Sequence, residues 1–84
     1  PSPRTWYHNN TDSTVVVTIT EPGVPYGQPV DGGDSVPYSL DECRGTSLVV
    51  KTEDGVLIGV VDGPACPGWE LTVDADGSIE YAKE

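Results

Sequence analysis

WELTVDADGSIEYA, residues 69–82, decides between two readings of this chain: a calcium loop, or a tight turn joining two strands. An EF-hand-like loop needs oxygen ligands at positions 1, 3 and 5, glycine at 6 and a bidentate glutamate at 12. With Gly77 at the sixth position, Asp74 and Asp76 fall at the third and fifth, and they are the candidate calcium ligands of the chain. The first position is then Thr72 and the twelfth is Lys83, a cation where the strongest carboxylate belongs. Trp69, Leu71 and Val73 meanwhile alternate with Glu70, Thr72 and Asp74, and Ile79 and Tyr81 continue the apolar face beyond the turn. That period of two requires strands running straight into Asp76-Gly77, so the stretch reads as a hairpin and no metal is assigned. Trp69 is expected inside.

The same pattern extends outward in both directions. SLVVKTEDGVLIGVV, residues 47–61, reads as two more strands joined at Glu53-Asp54-Gly55, where Asp-Gly supplies the positive φ of a tight turn. In STVVVTIT, Val15, Val17 and Ile19 alternate with Val16, Thr18 and Thr20, giving one fully apolar face. In DSVPYSL, Val36, Tyr38 and Leu40 share a face, and Pro37, which has no N–H to give a ladder, makes this an edge strand. TWYH adds a first strand. Residues 21–34, EPGVPYGQPVDGGD, hold three of the eight prolines and four of the ten glycines and read as a surface loop presenting Tyr26. SLDECRG has capping-box spacing between Ser39 and Glu42, enough for one helical turn that Gly45 would stop. With about seven short strands and no helical period, the expected fold is a small antiparallel β-sandwich, a single domain over residues 1–84.

The run NNTDSTVVVTI, a glycine turn, VDGGDSVPY and then LVVKTEDGVLIG resembles, in order, the small sandwich of the von Hippel-Lindau β domain over residues 8–60. The resemblance implies a fold and no more. That family lacks the Cys43 and Cys66 arrangement, and its aromatic and histidine peptide pocket has no counterpart here.

Composition narrows the function classes. Fourteen Asp and Glu against four Lys and Arg give a net charge of -10, which repels nucleic acid and anionic membranes. The longest apolar run, Val56 to Val61, falls far short of the ~20 residues of a membrane helix. PSPRTWY has no charged and apolar leader and suits equally a processed terminus or a trimmed chain. Two cysteines, Cys43 and Cys66, lie in turn-rich surroundings without a CxxC or a neighbouring histidine, so a disulfide and an oxidising, extracellular or particle-surface location are expected. Closing that loop of about 24 residues stabilises the fold by about 3 kcal/mol.

Few residues announce chemistry. His8 stands without a local ligand partner, nucleophile or orienting acid, no serine sits in a nucleophile elbow, and no motif calls for a cofactor. Asn9-Asn10-Thr11 is a glycosylation acceptor sequence, and equally an Asn-rich turn before a strand. A small core leaves no depth for a walled cleft, so the expected protein is not an enzyme and works by surface contact, as a binding, accessory or structural subunit of a larger assembly. Trp6, Tyr7 and Tyr26 are the candidate aromatic contacts. The alternative is a secreted hydrolase inhibitor presenting a disulfide-constrained loop, anchored by Arg44 or Tyr26.

Overall fold

The computed structural model describes residues 3–23 and 27–84; Tyr26 lies outside them. The chain is all-β, with eight strands: β1 Arg4–Asn9, β2 Val15–Ile19, β3 Gln28–Val30, β4 Ser35–Ser39, β5 Ser47–Thr52, β6 Leu57–Asp62, β7 Trp69–Val73 and β8 Ile79–Lys83. They form two four-stranded sheets, β4-β1-β7-β8 (sheet I) and β3-β2-β5-β6 (sheet II). Their inward faces meet in one core containing Tyr7, Val15, Val17, Ile19, Val30, Leu40, Leu48, Val50, Ala65, Leu71 and Val73. The sandwich and its disulfide are as the alternation and the cysteines require.

Both hairpins form where Asp-Gly stands. Gly55 has φ of 94° and Gly77 has φ of 88°, the left-handed region that suits glycine. In the second turn the Asp74 N–H donates to the Ser78 carbonyl and the Gly77 N–H to the Asp74 carbonyl, while the Ser78 hydroxyl and N–H donate to the Asp76 carboxylate. Those bonds hold the Asp76 carboxyl below its usual range. The two aspartates that resemble calcium ligands are thus fixed by their own turn.

The structure differs from the sequence reading in several places. One pair of strands, β1 with β7, runs parallel, because β1 is inserted between β4 and β7 rather than following a hairpin. The long connection contains β3, an eighth strand, whose Val30 is buried against β2 while Pro29 faces out on the sheet edge. The segment 39–45 makes no helical turn: Arg44 instead forms a two-residue antiparallel bridge with Ala65. Trp69 is only half-buried, stacked on Tyr81 with ring centroids 5.0 Å apart. It is the first residue of β7.

Tyr7, a candidate contact residue, is instead a core residue with 1% exposure. The inward positions of β1 are Thr5, Tyr7 and Asn9, and two of the three are polar, so apolar alternation did not mark the face. Both polar side chains are bonded. The Thr5 hydroxyl donates to the Trp69 carbonyl at 2.6 Å. Asn9 donates from Nδ2 to the carbonyls of Ser13 (2.7 Å) and Val30 (2.9 Å), and its Oδ1 accepts from the Thr11 N–H and hydroxyl. Asn9 is the last residue of β1, its Oδ1 closing an Asx turn at Thr11 in the connection before β2, and its amide is buried with both hydrogens engaged.

Burial pushes the Tyr7 phenol well above the usual tyrosine range, the nearby phenols Tyr38 and Tyr81 adding to the shift. A group held protonated in the fold contributes stability below its unfolded pKa and loses it as pH rises toward the folded one. Stability is therefore expected to fall by about 1.4 kcal/mol for each pH unit above ~10 through Tyr7 alone. Urea midpoints at about pH 9 and about pH 11 test this, and equal midpoints would contradict it.

Candidate functional site

Three surfaces carry the side chains that matter. The first is the disulfide corner. Cys43 follows β4, Cys66 lies between β6 and β7, and the bond brings their Cα atoms to 4.1 Å. Beside it the Arg44 and Ala65 N–H groups each donate to the other's carbonyl at 2.8 Å. The Tyr81 hydroxyl accepts from the Cys66 N–H at 2.9 Å and donates to the Pro64 carbonyl, and burial moves this phenol upward too. The Arg44 guanidinium pairs with Glu21, its Nη2 2.9 Å from the carboxylate, and that bond raises its pKa. An open depression lined by Glu21, Leu40, Asp41, Glu42 and Arg44 lies alongside. Arg44 is thus tied at backbone and side chain, whereas a protease-anchoring arginine needs its backbone free to pair with the enzyme and its side chain free to enter a pocket.

The second surface is the outward face of sheet II. Thr18, Val49 and Val60 stand abreast across β2, β5 and β6, and Val16, Lys51 and Leu57 form the neighbouring row. Among the described residues, Val56, Leu57 and Val60 are the exposed large hydrophobic ones, at 59%, 57% and 54%. All three lie on β6 or at its start. β6 is also a sheet edge, and it differs from the other three edges. β3 carries Pro29 and is three residues long, β4 carries Pro37, and β8 carries Glu80 and Lys83, all features that discourage pairing. β6 reads Leu-Ile-Gly-Val-Val-Asp, with its one charge at the far end, and its only irregularity is a bulge at Ile58 in its pairing with β5.

The third surface is the outward face of sheet I. Arg4, Trp6 and His8 alternate along β1 and point away from the core. The Arg4 guanidinium carbon lies 5.3 Å from the Trp6 ring centroid, and the Trp6 and His8 rings are parallel within 5° at 6.1 Å. His8 is cross-strand partner to Ser35 on β4, and β7 brings Glu70 to its other side. Its Nδ1 is 2.6 Å from the Ser35 hydroxyl and its Nε2 2.8 Å from the Glu70 carboxylate. No known family model, curated protein or solved structure matches this chain. The site must therefore be read from these contacts alone.

Of the residues singled out in the sequence, Trp6 lies in this outward cluster, Arg44 lies at the disulfide corner, and Tyr7 lies in the core. Asp74 and Asp76 sit at the far hairpin, and among the described residues no three His, Cys, Asp or Glu side chains converge on a metal position. Ser35 and Glu70 were missed. They are 27 and 62 residues from His8, and only the strand order β4-β1-β7 places them beside it.

Proposed function

We propose that this chain is a non-enzymatic, extracellular β-sandwich acting by surface contact, as a binding, accessory or structural subunit of a larger assembly, with β6 and the outward face of sheet II as the contacting surface. The observation that carries this reading is the clustering of Val56, Leu57 and Val60 on the one edge strand without proline or an internal charge. An edge of unpaired N–H and C=O groups flanked by apolar side chains suits β-augmentation, in which main-chain bonds give affinity and alternate side chains give specificity. The disulfide is compatible with an extracellular location. The tied Arg44 makes the inhibitor reading the less favoured one.

The test is native mass in extracts of the source, measured for the natural chain and for Val60→Glu. The natural chain is expected to migrate with a larger assembly and the variant, whose side chain points outward from the sheet, near its own 8.9 kDa. A natural chain that runs free, at the mass of a monomer, overturns the reading.

A further inference from the structure

Sheet I carries an arrangement that surface contact does not use. Ser35 is exposed on β4, its hydroxyl within 2.6 Å of His8 Nδ1, and His8 Nε2 is 2.8 Å from Glu70 Oε1. A carboxylate only accepts hydrogen bonds, so in the neutral imidazole the Nε2 carries the proton given to Glu70 and Nδ1 is the acceptor for the Ser35 O–H. This is the relation of a nucleophile to a base that a third group orients. We propose that Ser35 is an activated acyl-acceptor site, taking an acyl group from an activated ester or thioester, with His8 as the base and Glu70 as the residue that positions it.

In the step, Ser35 Oγ bonds to the donor's carbonyl carbon as its proton passes to His8 Nδ1. The carbon–oxygen or carbon–sulfur bond of the donor then breaks and the leaving alcohol or thiol takes that proton from His8. The products are O-acyl Ser35 and the free alcohol or thiol, with no oxidant or further reactant required. Glu70 stabilises the imidazolium that exists between the two proton transfers and holds the ring in the tautomer that accepts from Ser35. Trp6, parallel to the imidazole, walls one side of the site. The site lies on an open sheet face, which leaves the developing oxyanion to water, so the donor must carry a good leaving group: aryl esters and thioesters react and amides do not.

The chain contains its own reference. Ser39 lies on the same strand and the same exposed face as Ser35 but is paired with Arg4, not with a histidine. With 4-nitrophenyl acetate as probe and peptide mapping of the acetylated positions, Ser35 of the full chain is expected to acetylate on the order of 100-fold faster than Ser39. His8→Gln is expected to bring Ser35 down to the Ser39 rate, and Glu70→Gln to an intermediate one. Ser39, read in the same samples, reports any change in exposure from altered folding. Equal acetylation of Ser35 and Ser39 in the natural chain, or an unchanged Ser35 rate in His8→Gln, overturns the proposal.

Discussion

Asn9→Ala is expected to lose about 4 kcal/mol of folding free energy, a large share of what a domain of this size has. The estimate follows from what the side chain holds. Its Nδ2 reaches the carbonyl of Ser13 in the β1–β2 connection and that of Val30 at the end of β3, while Oδ1 takes the Thr11 N–H and hydroxyl. Its backbone is equally committed, the N–H to Asp34 and the carbonyl to the Gly33 N–H. One residue at the end of a sheet I strand thereby ties together the β1–β2 connection, the last residue of β3 and the turn into β4. Alanine keeps the backbone bonds, leaves the carbonyl of Val30, a residue 1% exposed, without a donor at a cost of about 1 kcal/mol or more, and gives up the part-buried bonds to Ser13 and Thr11 as well. Asn9→Asp separates hydrogen bonding from volume: it keeps the shape, but sets a carboxylate oxygen against two carbonyls that need donors. It is expected to be at least as damaging as alanine. Urea unfolding of both variants decides the matter, and losses below about 1 kcal/mol would show that water replaces the amide without strain.

The place of Asn9 shows what the sequence could and could not disclose. Where apolar residues alternate, as in β2 and β7, the face toward the core was legible, and where Asp-Gly stands the hairpins were too. β1 hid its orientation because Thr5 and Asn9 are core positions filled by polar residues whose partners, Trp69 and Val30, come from distant strands. A short window therefore gave no reason to place Tyr7 inside and Trp6 outside. β3 was hidden for a different reason: Pro29 and the flanking glycines signal a loop, and only pairing with Val15–Val17 makes three of those residues a strand. The Ser35, His8 and Glu70 cluster was the least legible, since strand order, and with it the parallel β1–β7 pair, is not written in local periodicity. His8, between Tyr7 and Asn9, discloses in sequence neither its face nor its cross-strand neighbours.

Removing the disulfide through Cys43→Ala with Cys66→Ala is expected to cost about 3 kcal/mol, and to act more on the unfolded chain than on the fold. The bond joins residues 23 apart in sequence. In the folded chain the same two segments are already held by the Arg44–Ala65 bridge, by Tyr81 at Cys66 and Pro64, and by Ala65 buried at 0% exposure. The folded corner therefore keeps its geometry without the sulfurs. Cut loose, the unfolded chain gains freedom between residues 43 and 66 and exposes more surface, so the urea m-value is expected to rise while the midpoint falls. Intact mass places the natural chain in this comparison, rising by the two hydrogens of a reduced bond on treatment with reductant. A double variant with the natural midpoint and m-value would mean that the corner's hydrogen bonds persist after unfolding, leaving the covalent link nothing to constrain. A fall in midpoint at constant m-value would move the effect into the folded state, to strain or lost packing around Ala65. Tyr81→Phe then separates those two: it removes the hydroxyl from Cys66 and Pro64 but leaves the ring on Trp69, and it deepens the loss only if the folded corner depends on the disulfide.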